Sequence, residues 1–118
     1  MRYVMLFISA SDDIWSKLPP EEMQRVMGEI NTWWGEHAAA GRIVGGERLQ
    51  GGATATTLRG AGGGQSIIDG PYVEAKEEVS GFGLLEVEDL DAALAIARTW
   101  PALQVEGEAV EVRPAWVM

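Results

Sequence analysis

A chain of 118 residues, 47% apolar and 23% charged, is the size of one domain, spanning 1–118, with an ordinary core. Nine basic against eighteen acidic side chains leave a net charge of −9, which argues against nucleic acid and anionic membranes as partners. The absence of cysteine excludes disulfides, Cys-ligated zinc and thiol catalysis.

The first element is a strand. Tyr3, Met5 and Phe7 point one way and Val4, Leu6 and Ile8 the other, so both faces are apolar. This start is too short for a signal peptide, and no apolar run reaches the roughly 18 residues of a membrane span. A cytoplasmic location is expected. Ser11-Asp12-Asp13 reads as a loop, with Ile14 and Trp15 as an apolar lid. Pro19-Pro20 then opens a helix over about 20–40, with Glu21 and Glu22 at its positive end. Met23, Val26, Met27, Ile30, Trp33, Trp34 and Ala38 follow helical spacing, and Gly41 is a stop signal.

A second strand over 42–49 contains Gly45-Gly46, which suggests a bulge or a close backbone approach. The runs 54–59 and 65–69 flank the glycine-rich turn 60–64 and predict a hairpin. That turn is no dinucleotide loop, since Gln65 stands at the sixth position and no helix follows. A strand over 82–87 is apolar on both faces. Asp89 is the predicted N-cap of a second helix, whose stripe is Leu90, Ala93, Leu94 and Ala97 and whose end is Pro101. The alternation over 110–113, stopped by Pro114, predicts an edge strand with one polar face.

This order is that of an α+β, ferredoxin-like antiparallel sheet with two helices on one face. Two helices cover only one side, so the doubly apolar strands predict a homodimer.

The densest motif is Asp69-Gly70-Pro71-Tyr72-Val73-Glu74-Ala75-Lys76-Glu77. Turn chemistry explains Asp-Gly-Pro; it does not ask for Glu-x-Lys-Glu as well. With Gly45-Gly46-Glu47, Asp89-Leu90-Asp91 and Val110-Glu111-Val112-Arg113-Pro114, the motif resembles the YCII-related, DGPF-type family of small bacterial proteins. Tyr72 stands in place of that signature's Phe. The resemblance covers nearly the whole chain and implies pairing of two sheets into a dimeric α/β barrel. The better-characterised branch of that family carries a histidine in the first helix and an Asp before the Pro that ends the second. Here Ile30 and Trp100 occupy those positions, so this chain lacks the pair.

The candidate catalytic residues are Asp69, at the predicted mouth of the cleft, and His37, the only histidine. Tyr72, Glu74, Lys76, Glu77 and Arg113 are candidate ligand-binding residues, with Arg113 able to hold a carboxylate. Their structural alternatives are a tight turn for Asp69, a packing role for His37, and solvated or rim ion pairs for the rest. Asp69, Glu74, Lys76 and Arg113 are expected in one neighbourhood. No cofactor and no metal site is expected, because one histidine and dispersed acids give no ligand spacing. Three functions compete: a small-molecule site between sheet and helices, possible catalysis included; a non-enzymatic regulatory protein of an alternative sigma factor or stress pathway; and a plain dimeric scaffold.

Overall fold

The structure, a computed structural model, describes residues 1–10, 13–70 and 77–117. Its main sheet has the strand order β2-β5-β1-β6 and is antiparallel throughout. The strands are β1 (Arg2–Ser9), β2 (Ile43–Arg48), β5 (Glu78–Glu86) and β6 (Glu108–Pro114). β1, apolar on both faces, lies inside the sheet, and β6 lies at an edge. The helices α2 (Pro20–Ala39) and α3 (Leu90–Ala97) pack on one face. A 3₁₀ turn, Pro101–Gln104, follows α3. This is the α+β, ferredoxin-like arrangement.

Local chemistry sets the helix ends. Pro20 occupies the first turn of α2, where its missing N–H costs nothing, and Glu21 and Glu22 follow at the positive end. Asp89 caps α3 by accepting a 2.8 Å hydrogen bond from the Ala92 N–H.

The core lies between the sheet and the helices. Tyr3, Met5 and Phe7 from β1 and Leu85 from β5 face Trp33, Ala93, Ile96, Ala97 and Trp100. Along β5, Gly83 leaves room for the aromatic residues of α2. A Cβ there would stand 2.8 Å from Met5 Cε and 3.5 Å from Trp34 Cη2. On the opposite face, Val4 pairs with Leu84 and Leu6 with Phe82, and no described element covers that side.

Three boundaries differ from the sequence reading. Asp13 opens a short helical turn, α1 (Asp13–Ser16), where a loop was expected; Ser11, Asp12 and the Ile14 side chain lie outside the described residues. Thr54 belongs to a 3₁₀ turn, Gly52–Thr54, so β3 (Thr56–Gly60) starts later. β5 starts at Glu78, four residues before the expected 82. Opposite Phe7 and Ile8 of β1, β5 carries one extra residue, Ser80, and this bulge breaks the alternation of β5, which hides its start from a period-two reading.

The hairpin of β3 and β4 (Gln65–Asp69) forms a separate two-stranded sheet. It leaves the body beyond β2 and β5. Its base is tied by Gly70 N–H to the Ala55 carbonyl at 2.6 Å and by Thr57 Oγ1 to the Gly70 carbonyl at 2.7 Å.

Candidate functional site

A groove of about 960 Å³ runs between α2 and the segment that joins α3 to the 3₁₀ turn. Arg25, Glu29 and Trp33 line it from α2, and Arg98, Trp100 and Gln104 line it from the other wall. The helical period explains the α2 wall, since Arg25, Glu29 and Trp33 are four residues apart and share one side. Pro101 ends α3 and turns the chain so that Trp100 is directed inward, 9% exposed.

The floor is aromatic. Trp100 stacks on Phe7 with ring centroids 4.0 Å apart and planes at 16°. Trp33 meets Trp100 edge-on at 5.0 Å. Trp33 Nε1–H donates to Thr99 Oγ1 at 2.7 Å, and that hydroxyl donates to the Ile96 carbonyl. The indole N–H of Trp100 has no such partner among the described residues, although it is buried. A buried donor without an acceptor costs about 1–3 kcal/mol. Such a group in a native protein asks for an explanation, and a bound group or water supplies one.

The rim is polar. Arg25 donates to Glu29 and to Gln104, each at 3.0 Å, and Gln104 donates to Glu29 at 2.7 Å. These bonds tie α2 to the opposite wall across the groove. The Gln104 bond holds the Glu29 carboxyl below its ordinary pKa; desolvation opposes it, and the Arg25 bond and charge add to the lowering. Glu29 is thus an ionised rim group rather than a proton donor. Arg98 lines the groove without an ion pair to any described residue. Arg25 is paired with Glu22 and Glu29, which leaves Arg98 beside the aromatic floor as the cation that suits an electron-rich ring.

The residues singled out from the sequence fall elsewhere. Asp69 ends β4 in the hairpin, opposite Thr56. Arg113 lies in β6 opposite Val4, on the face away from the helices. Its Nε is 2.7 Å from Glu111 Oε2, an ion pair that lacks hydrogen-bond geometry. Its side chain is 69% exposed, so the pair contributes under about 1 kcal/mol. No described hydrogen bond or ion pair joins Asp69 to Arg113. Glu77 is exposed. Tyr72, Glu74 and Lys76 lie outside the described residues. His37 sits near the end of α2, edge-on to Trp33 at 4.8 Å, and its Nδ1 accepts from Arg42 Nε at 2.8 Å. Burial and the Arg42 charge lower its pKa against a smaller opposing effect of Glu36, so its neutral form accepts that bond. The contacts of His37 are those of a packing residue, and it does not line the groove.

One half-buried acid escaped the sequence reading. Glu108 accepts from Ser9 Oγ at 2.9 Å and from Trp15 Nε1 at 2.8 Å. Burial raises its pKa, although both hydrogen bonds oppose that shift. Among the described residues no group of three or more potential ligands is placed to hold a metal ion. No described helix is long and apolar enough to cross a membrane.

Comparison with known proteins places the chain in context. The family model of the YCII-related domain matches residues 1–116. Uncharacterized protein R00369 of Rhizobium meliloti (strain 1021) is 36% identical over 100 residues, which cover 85% of this chain and 78% of that protein. Among solved structures, 5-chloro-2-hydroxyhydroquinone dehydrochlorinase (TftG) of Burkholderia phenoliruptrix AC1100, in complex with 2,5-dihydroxybenzoquinone, is similar at a TM-score of 0.58. That alignment covers 98% of this chain and 94% of the other at 13% identity, a likeness of fold.

Proposed function

The chain belongs to the YCII-related domain family, and from that premise we propose that it is a cytoplasmic homodimer that binds a small planar ligand in the groove between α2 and the α3 end. The observation that carries this reading is the buried Trp100 N–H, without a partner among the described residues, beside a groove lined by Trp33 and Trp100. A ring that enters between the indoles and displaces Trp100 outward brings an in-plane acceptor to that donor while it packs against them. Arg98, without an ion pair to any described residue, favours a ligand with negative charge on its edge. The solved relative in fold was captured with 2,5-dihydroxybenzoquinone, a planar ring with oxygen acceptors, which supports this class of ligand.

The reading is one of binding rather than turnover. The positions where the resembled branch carries its His and Asp hold Ile30 and Trp100. Glu29 and Glu36 are the groove's carboxylates, and Glu29 is held ionised between Arg25 and Gln104. Pairing of two copies is supported by the uncovered apolar face of the sheet, where Val4, Leu6, Phe82 and Leu84 meet.

Calorimetric titration with 2,5-dihydroxybenzoquinone as the probe tests the site. Trp100→Phe keeps a ring and removes the N–H, and one lost hydrogen bond predicts a Kd about five- to tenfold weaker. Unchanged affinity in Trp100→Phe, or no heat from the wild-type protein at millimolar probe, contradicts the reading.

A further inference from the structure

We infer that the β3–β4 hairpin is an arm that grips a second copy of this chain. The inference rests on the homodimer proposed above and adds the part that holds it. The hairpin pairs only with itself, and every one of its residues except Thr57 is exposed. Leu58 and Ile67 are directly opposite each other and are 57% and 69% exposed. Ile68, on the other side of the ribbon, is 40% exposed. An isolated two-stranded ribbon is marginal in water, so this one needs a surface to cover it.

Among the described residues, the body of its own chain does not provide that surface. The Cα radius of gyration is 16.0 Å, against about 13–14 Å for a compact chain of this length. The molecule is a slab of 45 × 42 × 19 Å. A thickness of 19 Å holds one sheet and one helix layer, so the arm extends sideways and leaves the open sheet face bare.

Charge and area point to a second copy as the occupant. Two chains of net charge −9 repel each other except through neutral surface. Within 55–70 the only charges are Arg59 and Asp69, which cancel. The open face offers Val4, Leu6, Phe82 and Leu84 beside the cancelling pairs Glu111–Arg113 and Arg2–Glu86, with Glu47 as one further charge at its β2 edge. A face of four short strands presents a footprint of roughly 400 Å², about half of the ~800 Å² per partner in a stable interface. The arm, about 17 Å long, with the pair Leu58 and Ile67 on one side and Ile68 on the other, supplies much of the remainder.

Sedimentation of the full chain over nanomolar to micromolar concentration tests this. The wild type is expected at twice the 12.7 kDa chain mass. The double variant Leu58→Asp/Ile67→Asp is expected to keep the melting behaviour of the body and to raise the dimer dissociation constant at least tenfold. Should that variant lose its hairpin, hydrogen exchange of the wild type decides: amides of β3 and β4 gain protection as protein concentration rises. A wild-type monomer overturns both the dimer and the arm. A dimer whose dissociation constant is unchanged in the double variant, or whose arm amides exchange alike at all concentrations, overturns the arm alone and assigns its apolar side chains to a different protein.

Discussion

Glu108 shows how a single residue joins distant parts of this chain. It is held by Ser9, which is only 5% exposed, and by Trp15 of α1. An acid whose pKa is higher in the folded chain binds its proton more tightly there. Folding therefore gains while Glu108 is protonated and loses as pH rises from 4.5 through the raised folded value. Glu108→Gln keeps an acceptor for both donors and removes the charge. Its stability relative to the wild type should increase with pH across that window and level off above it, as read by urea denaturation. Glu108→Ala should instead lower stability by about 1–3 kcal/mol, because the Trp15 and Ser9 donors lose their acceptor. Equal pH profiles for wild type and Glu108→Gln would count against a buried charge. The sequence could not reveal this residue, since its partners are 99 and 93 positions away. The same is true of the Trp100 donor: the sequence marks Trp100 as the residue before the helix-ending Pro101, and only packing leaves its N–H without an acceptor.

At the scale of elements, the meeting of β2, β5 and α2 is the tightest point of the fold. Gly46 has φ +143°, and a Cβ there would run into the Phe82 carbonyl and stand 2.6 Å from Trp34 Cη2. Neither neighbour is a flexible chain end. Gly46→Ala is expected to cost about 3 kcal/mol, combining backbone strain with overpacking. Gly83→Ala meets the movable Met5 Cε and should cost about 1 kcal/mol. Thermal melts of the two variants check the order; equal losses would mean that Trp34 and β5 yield more than their packing implies. Periodicity made α2, α3, β1 and the hairpin legible, because each carries an unbroken pattern bounded by Pro, Gly or Asp. The Gly45-Gly46 pair predicted a bulge or close approach, and the β2–β5 register shifts between Ile43 and Gly45. The start of β5 was illegible, because Glu78 and Ser80 are polar and β5 itself bulges at Ser80, opposite Phe7 and Ile8.

For the whole molecule, the sheet with helices on one side was legible in the doubly apolar β1, while the location of the groove was not. The charged motif from Asp69 to Glu77 drew attention to one end of the hairpin. The groove instead lies where α2 passes the end of α3, and its walls consist of residues that a sequence reading assigns to core or solvent. Trp33 and Trp100 belong to the helical stripe and the helix stop, and Arg25 and Glu29 to a solvated face. Only the fold brings the four together. The central claim is that a ligand's acceptor meets the Trp100 N–H. The most direct measurement is an amide and indole NMR titration of the ¹⁵N-labelled full chain, with its five tryptophans, using 2,5-dihydroxybenzoquinone as the probe. The account predicts that the Trp100 indole resonance moves farthest of the five and saturates with the probe. A Trp100 resonance that stays in place while others move, or five that all stay in place at millimolar probe, would contradict it.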